Sequence, residues 1–247
     1  MVEVVWRRGG TGTITILFQK VGKTTEELGT LSAGDTIRDI AGPLGHPAPV
    51  KKYGNCVLVG GGIGVATLYP IIKALKKINN TITVILGART KEFLIWKDNF
   101  REYSDEVFIT TDDGSYGRKG LVTNMLKEVI HRKPIALVVA VGPVKMMKAV
   151  SDLTRSYGIK TIVSLNSLMV EGTGMCGACR VTIGGRTRFT CIDGPEFDGH
   201  EVDFEELENR LTFYREEEEK TYNLFLGTKR RLAQTKRKQI RADKKCK

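Results

Sequence analysis

Residues 55–78, NCVLVGGGIGVATLYPIIKALKKI, decide the fold of this chain. A short apolar run, NCVLVG, leads into a glycine-rich turn, and apolar residues at helical spacing follow. This order is typical of a buried strand that continues directly into a helix. The segment therefore predicts one β–α unit with its glycines at the junction.

The same alternation of strand and helix continues to residue 166. Strands are predicted at TITVILGA (81–88), EVFITT (106–111), ALVVAVG (136–142) and KTIVSLN (160–166). Helices are predicted around KEFLIWKDNF (91–100), GLVTNMLKEVI (120–130) and VKMMKAVSDLTRSYG (144–158). Strands that alternate with helices form βαβ units and a largely parallel sheet. We therefore expect an α/β domain over residues 54–166.

The residues before this domain predict a small β-rich unit. We expect strands at VEVVW (2–6) and GTITILF (12–18), a short helix at TTEELGTL (24–31) and a return to strand at DTIRDIA (35–41). The proline- and glycine-bearing segment GPLGHPAPVKKYG (42–54) is predicted to be the linker.

The glycine turn is a candidate dinucleotide site. Glycines at 60, 61, 62 and 64 would let the backbone approach a pyrophosphate, which helix-start N–H groups bind. Val65 occupies the last glycine position of G-x-G-x-x-G, and no acid follows the second strand, so a purely structural turn is the alternative. Further glycine segments at predicted strand ends favour the site: GAR (87–89), TDDGSYGRKG (111–120) and AVGPVKMM (140–147).

Three cysteines form a candidate metal site in a glycine-rich stretch. Cys176, Cys179 and Cys191 are spaced C-x2-C-x11-C, and the plant-type ferredoxin spacing places a further ligand at Glu171. A carboxylate oxygen can ligate iron, so Glu171 is the candidate fourth ligand. The alternatives are a solvated Glu171 with water or a partner residue completing the site, a zinc site with His200, and unliganded buried cysteines. Cys56 is predicted to lie in the core and Cys246 to be an incidental thiol.

The net charge of +11 is concentrated in the last residues. Residues 227–247 carry ten Lys or Arg and one Asp, which is +9 and leaves +2 for the rest of the chain. We expect a solvated or frayed helical tail rather than a nucleic-acid arm. No apolar run is long enough to span a bilayer, the N-terminus does not read as a secretory signal, and the clustered cysteines fit a reducing compartment. These features predict a cytoplasmic protein without a membrane partner.

The last section predicts a helix that begins at DFEE (203–206). Leu207, Leu211 and Tyr214 would line one of its faces, and the run EEEE (216–219) would be its solvated side.

With these motifs in order, the chain resembles a known family over almost its whole length. It looks like the small electron-transfer subunit of NADH-dependent reduced ferredoxin:NADP oxidoreductase, also called the sulfide dehydrogenase small subunit. That family is a close relative of the dihydroorotate dehydrogenase B electron-transfer subunit. The matching stretches are FQKVGKTTEELGTL (18–31), GPLGHPAPV (42–50), LVGGGIGVATLYPI (58–71), LGARTKEFLIW (86–96), TDDGSYGRKGLVT (111–123), VGPVKMMKAV (141–150), EGTGMCGACRVTIGG (171–185) and TCIDGPEFDGHEVD (190–203).

The resemblance implies an α/β, ferredoxin-reductase-like architecture in four parts. These are a partial antiparallel FAD-binding β-barrel (1–48), a parallel-sheet NAD-binding domain (54–166), a small [2Fe–2S] subdomain (167–202), and a C-terminal helix with the basic tail (203–247). The implied function is electron transfer between NAD(H), FAD and a [2Fe–2S] cluster, to or from a larger flavoprotein subunit, with no catalytic side chain of its own.

The resemblance also suggests residues for each cofactor. Gly22, Lys23, Thr24 and Thr25 match a flavin contact near the pyrophosphate. Gly60, Gly61, Gly62, Ile63 and Gly64 match the family's dinucleotide loop. The glycine segments at the strand ends themselves add Arg89, Asp112, Gly114 and Gly142 as expected dinucleotide contacts. The expected cluster ligands are Glu171, Cys176, Cys179 and Cys191. Arg89 could meet a 2′-phosphate, but the family resemblance favours NADH.

One departure from the family pattern concerns the barrel. The family's barrel begins upstream of VEVVW and carries an Arg-x-x-Ser/Thr motif, so we expect in-frame sequence for more strands before Met1. The dihydroorotate branch has Cys where Glu171 stands and ends soon after its last Cys, whereas this chain continues to residue 247, so the resemblance favours the ferredoxin:NADP branch. The alternatives are a dihydroorotate dehydrogenase B electron-transfer subunit and a flavin-less iron–sulfur interaction module.

Overall fold

The computed structural model describes residues 2–6, as backbone only, and residues 13–229. Cys246 and most of the basic tail lie outside these residues.

A seven-stranded sheet forms the centre of the fold, which confirms the predicted α/β class. Its strands are β3 (Asn55–Gly61), β4 (Thr81–Ala88), β5 (Glu106–Thr111), β6 (Arg118–Lys119), β7 (Leu137–Val141), β8 (Thr161–Ser164) and β11 (Glu196–Asp198). Their order in the sheet is β11-β8-β7-β3-β4-β5-β6. Every neighbouring pair is parallel except β11 and β8. The main helices between them are α2 (Val65–Lys77), α3 (Lys97–Arg101), α4 (Val122–Arg132) and α5 (Val144–Ser156).

The sheet is covered by helices on both faces, which is why its strands are apolar throughout. Every residue of β7 is buried. Leu58 of β3 packs with α2 on one face, while Val57 and Val59 pack with α4 and α5 on the other. Cys56 is 1% exposed and belongs to this core, as the sequence predicted.

The strand order reverses at β3, which lies between β4 and β7. In an open parallel sheet, the carboxyl ends of the strands at such a reversal flank a crevice where ligands bind. The glycine turn after β3 therefore lies at the expected ligand-binding edge.

The N-terminal unit consists of β1 (Val2–Trp6), β2 (Ile14–Phe18) and α1 (Lys23–Leu28). The two strands pair antiparallel, and β1 lies beside α2. The strand predicted at 35–41 is wrong: this segment has no regular structure, and Ile37 and Ile40 are 43% and 56% exposed. Among the described residues no strand pairs with it, so its backbone has no ladder partner.

A β-hairpin within the cysteine region was missed by the sequence analysis. It consists of β9 (Arg180–Ile183) and β10 (Arg186–Phe189), which are joined by Gly184 and Gly185 at φ +56° and +73°. The short helix α6 (Thr190–Asp193) and β11 follow. The sequence RVTIGGRTRF does contain the two-glycine hairpin signal, because both central turn residues need positive φ.

The predicted C-terminal helix is two helical segments. α7 spans Phe204–Arg210, residues 211–214 form turns, and residues 215–229 are helical. Asp203 caps α7 as expected, since its Oδ1 accepts from the Glu206 N–H at 2.9 Å. Leu207 is 1% exposed but Tyr214 is 53% exposed, so the predicted apolar face is not continuous.

A second predicted helix, over 91–100, is also interrupted. A 3₁₀ turn spans Lys91–Phe93, and α3 begins only at Lys97 because Trp96 has φ +53°. Within the described residues, no helix is long and apolar enough to cross a membrane.

Candidate cofactor sites

Three glycines of the β3–α2 turn are closely packed. A Cβ on Gly60 would lie 2.8 Å from Leu68 Cδ1, and one on Gly61 would lie 2.6 Å from Met146 Sδ, but these are ends of flexible side chains. A Cβ on Gly64 would lie 2.9 Å from the backbone nitrogen of Gly142, which cannot move aside in the same way. Gly64 therefore needs glycine for the fold itself, whatever binds beside it.

Gly62 differs from these three, because its surroundings are open. Its φ is +56°, and a Cβ there would meet no atom within 4 Å. The 3₁₀ turn Gly62–Gly64 leads into α2, so this bend precedes backbone N–H groups at a helix start. Backbone of this kind can approach a phosphate closely, and the helix dipole favours an anion there. Gly62 is the turn position best suited to ligand approach.

The other predicted dinucleotide residues lie at the same edge of the sheet. Gly142 follows β7 and contacts Gly61, since its Cβ would lie 3.0 Å from Gly61 Cα. Arg89 follows β4 and Asp112 follows β5, and both are exposed. The Asp112 N–H donates to the Ala88 carbonyl at 3.1 Å, which ties the two strand ends together. Ile63 lies within the 3₁₀ turn, and Gly114 lies in the loop after Asp112 at φ +80°.

The residues matched to a flavin contact form the start of α1. Thr25 is buried, and its hydroxyl accepts from the N–H groups of Val21 and Gly22 at 3.1 and 3.2 Å. That hydroxyl also donates to the Gly22 carbonyl at 3.1 Å, so it closes the helix start. Lys23 and Thr24 are exposed beside it.

Two of the three clustered cysteines are adjacent and buried. Cys179 and Cys191 are 3% and 7% exposed, and their sulfurs lie 3.1 Å apart. Burial, and then the neighbouring Cys179 thiol, raise the pKa of Cys191 to about 11. Metal binding to this thiol would therefore release a proton at neutral pH.

Cys176 lies on the same loop but is exposed. Within residues 13–229, no three cysteine, histidine or carboxylate side chains are grouped closely enough to hold a metal ion. The donor chemistry nevertheless fits an iron–sulfur cluster, since two thiols are in contact and a third is three residues from one of them. The residues fit the cluster, but the four predicted ligands are not preassembled.

Glu171 closes the loop before Cys176. Its carboxylate accepts from the Thr173 N–H at 2.8 Å, the Thr173 hydroxyl at 2.7 Å and the Met175 N–H at 3.0 Å. The Thr173 hydroxyl is the main cause that lowers the pKa of this carboxyl, and the Met175 N–H follows. Glu171 is therefore held within the loop rather than with the cysteines, and its role as fourth ligand remains a prediction.

His200 is engaged away from the cysteines. Its Nε2 lies 3.0 Å from the Thr154 hydroxyl on α5, and its carbonyl accepts from Arg155. This contact fixes the turn after β11 against the nucleotide domain. The zinc alternative has no support in this arrangement.

Two features of the cysteine region were not identified from the sequence. Arg210 is 7% exposed and donates to the carbonyls of Ala178 and Arg180. The linker also contacts this region, since the His46 N–H donates to the Gly194 carbonyl at 2.7 Å. No sequence signal marks either contact, because the partners are far apart along the chain.

Comparisons with known proteins agree with this arrangement. The family model for the iron-sulfur cluster binding domain of dihydroorotate dehydrogenase B matches residues 166–203, and that for the oxidoreductase NAD-binding domain matches residues 58–152. The dihydroorotate dehydrogenase B (NAD(+)), electron transfer subunit homolog of Thermotoga maritima is 52% identical over 217 residues, which are 88% of this chain and 77% of the relative. An uncharacterized protein in the adh 3′ region of Clostridium beijerinckii is 45% identical over 218 residues, covering 85% of this chain and 74% of that protein.

A solved structure of an oxidoreductase also contains a similar chain. In a study of flavin-based electron bifurcation by NADH-dependent reduced ferredoxin-NADP oxidoreductase, one chain is 52% identical to this one and superimposes with a TM-score of 0.79. The match covers 86% of this chain and 76% of that chain.

An NAD-binding domain and an iron–sulfur cluster-binding domain in one chain define an electron-transfer subunit of an oxidoreductase. This chain belongs to the family of dihydroorotate dehydrogenase B electron transfer subunits. The resemblance inferred from the sequence is confirmed.

Proposed function

We propose that this chain passes electrons between NAD(H), FAD and a [2Fe–2S] cluster, to or from a larger flavoprotein subunit in the cytoplasm. The observation that carries the proposal is the contact between the buried Cys179 and Cys191 sulfurs, 3.1 Å apart within the region matched to a cluster-binding domain. Two adjacent thiols of this kind are suited to bind the iron of an iron–sulfur cluster.

The cofactors supply the redox chemistry when bound: nicotinamide exchanges a hydride, flavin exchanges pairs and single electrons, and the cluster exchanges single electrons. The chain's contribution is binding and orientation. The bend at Gly62 admits a pyrophosphate to the start of α2, and the family resemblance favours NADH as the dinucleotide. Arg89, Asp112, Gly114 and Gly142 lie at the same edge and would bind the rest of the dinucleotide.

We assign each cofactor to a separate part of the chain. Residues 54–166 bind the dinucleotide, residues 167–202 hold the cluster, and residues 203–247 form the C-terminal helical part and tail. Residues 1–48 contribute to the flavin site, where Lys23 and Thr24 are exposed at the start of α1. The Thr25 hydroxyl supports this site by closing that helix start.

The proposed ligands are Cys176, Cys179, Cys191 and Glu171. Glu171 would exchange its hydrogen bonds from Thr173 and Met175 for the metal. Its position five residues before Cys176, as in the plant-type ferredoxin spacing, supports this assignment.

The partner would bind around the cysteine loop. Exposed apolar side chains surround it: Met175 is 88% exposed, and Val170 is 69% exposed. Exposed apolar side chains grouped in this way mark interaction surfaces, and single-electron transfer needs close approach to the acceptor. We expect residues 174–178 and the 203–226 region to contact a larger flavoprotein subunit.

The function is tested on the 247-residue chain purified without oxygen. Visible absorption bands of both flavin and cluster, bleached by NADH, are the expected result. Cluster bands alone would favour the flavin-less interaction module. A chain without iron after anaerobic reconstitution would contradict the proposal.

The partner surface is tested by co-expression with neighbouring flavoproteins and size-exclusion chromatography. Co-elution that is lost in Met175→Asp and kept in Leu121→Asp, an exposed apolar position outside this surface, is expected. A chain that elutes alone with every candidate would count against a stable complex.

A further inference from the structure

Arg210, the last residue of α7, is buried against the cysteine loop. Its side chain is 7% exposed. Nη2 donates to the Ala178 carbonyl at 2.9 Å and Nε donates to the Arg180 carbonyl at 3.1 Å. These carbonyls belong to the residues on either side of Cys179. One guanidinium therefore fixes the backbone on both sides of a predicted ligand.

The charge of Arg210 has no carboxylate partner among residues 13–229. The nearby Asp203 and Glu206 carboxylates accept instead from the backbone N–H groups of Glu206 and Thr182. The guanidinium lies over the Phe213 ring at 5.3 Å. An arginine stays protonated in proteins, and a buried charge without a counter-charge is costly.

A bound cluster would add negative charge beside the guanidinium, in addition to the Asp203, Glu205 and Glu206 carboxylates that line the same cavity without pairing with it. A cluster with four anionic ligands is itself anionic, and its one-electron reduction adds a further negative charge without breaking a bond. A fixed positive charge nearby attracts the reduced form more strongly than the oxidised form.

We propose that Arg210 is a positioning residue that holds Cys179 in place for the cluster and raises the cluster's reduction potential. The proposal rests on the function proposed above, because it requires a cluster bound by the cysteine loop. The two effects can be separated, since one depends on the hydrogen bonds of the guanidinium and the other on its charge.

The test uses three variants of the 247-residue chain. Arg210→Gln removes the charge, whereas Arg210→Lys keeps the charge but loses the two-pronged donation to the carbonyls. Arg186→Gln is the matched control, because Arg186 is an exposed arginine on β10 of the same region. The midpoint potential is measured by anaerobic titration with dithionite, followed by electron paramagnetic resonance. Amide hydrogen exchange at residues 177–180 is measured on the cluster-free chain.

In Arg210→Gln we expect reduction to be about tenfold less favourable, which is about 59 mV lower for one electron. In Arg210→Lys we expect a potential close to that of the wild type and faster exchange at residues 177–180. Arg186→Gln should match the wild type in both measurements.

Wild-type potential and wild-type exchange in Arg210→Gln would overturn the proposal. If Arg210→Gln takes up no cluster, the test rests on amide hydrogen exchange at residues 177–180 in Arg210→Lys. Exchange as slow as in the wild type would then overturn the positioning role. A failure of the proposed function is distinguishable, because then the wild-type chain itself would take up no cluster.

Discussion

The glycine turn at the carboxyl edge of the sheet is packed against backbone, whereas the cysteine loop is held by hydrogen bonds. Around Glu171 these bonds lie within the loop, and around Cys179 they come from Arg210. Gly64 lies against the backbone of Gly142, so the ends of β3 and β7 are packed closely together. In the cysteine loop, Glu171 binds its own loop amides and Cys176 is exposed. The glycine turn is therefore held by packing against backbone, whereas Cys176 and Glu171 would have to move to join the two buried thiols at one metal site.

The largest effect is expected from Gly64→Ala. Its Cβ would lie 2.9–3.0 Å from backbone atoms of Val141 and Gly142, which cannot move aside as a flexible side chain could. We expect a loss of about 2 kcal/mol in the free energy of unfolding. NADH affinity should fall about tenfold, equivalent to about 1.4 kcal/mol. Denaturant unfolding and calorimetric titration measure the two effects.

The matched control is Gly227→Ala, where an added Cβ meets no atom within 4 Å. It should leave NADH affinity unchanged and should not lower the free energy of unfolding, because alanine at this helical position favours the helix by up to about 1 kcal/mol. Full stability and full affinity in Gly64→Ala would show that the turn is not fixed by packing.

A smaller effect on the free energy of unfolding is expected for the cysteines, and it should differ between the buried Cys191 and the exposed Cys176. Cys191→Ser places a hydroxyl at a buried position, so the cluster-free chain should lose about 1 kcal/mol. Cys176→Ser changes an exposed thiol and should stay within about 0.5 kcal/mol of the wild type. Both should abolish iron binding in an iron assay. Retention of the full cluster with an unchanged paramagnetic resonance signal by Cys176→Ala, which leaves no donor atom at this position, would remove that residue from the ligand set.

The smallest effect is expected at Glu196, on the sheet's antiparallel edge. Its carboxylate faces Ala48 and Ile162 around a small cavity, and burial raises its pKa despite a 3.2 Å hydrogen bond from the Ser164 hydroxyl. Because the folded pKa exceeds the unfolded one, the folded chain binds this proton more readily. Stability from this group is therefore present in acid and is lost as pH rises through the folded pKa.

Glu196→Gln cannot ionise, so we expect a higher melting temperature than the wild type at pH 7 and no gain near pH 4. Glu217→Gln, at an exposed helical position, is the control. A gain that grows in acid would contradict the sign derived for Glu196.

The sequence predicted the sheet well because its strands are buried on both faces and appear as continuous apolar runs, such as TITVILGA. It failed at 35–41, where Ile37 and Ile40 suggested a strand that has no partner among the described residues. The strand β11 was also missed, because three residues of an edge strand carry little periodicity.

The residues of the candidate sites could also be predicted only in part from the sequence. The spacing of Cys176, Cys179 and Cys191 was visible, and the structure brings two of these thiols together. Arg210 was not predicted, because its partner Ala178 is 32 positions away and a buried arginine resembles a surface one in sequence. The glycines of the turn were identified, but whether they serve packing or ligand approach depends on the neighbouring loop of Gly142.

The most direct test of the account is the paramagnetic resonance signal of the reduced cluster in Glu171 variants, with iron quantified in each sample. Glu171→Gln keeps an oxygen that can accept from the Thr173 and Met175 N–H groups but loses the charged ligand, so it separates loop closure from ligation.

We predict that Glu171→Ala and Glu171→Gln lose most of the cluster. Glu171→Cys should retain it, with a signal nearer that of an all-thiolate cluster, because a thiolate donates charge differently from a carboxylate. Full occupancy with an unchanged signal in Glu171→Ala would contradict the account, since the cluster would then be held without Glu171.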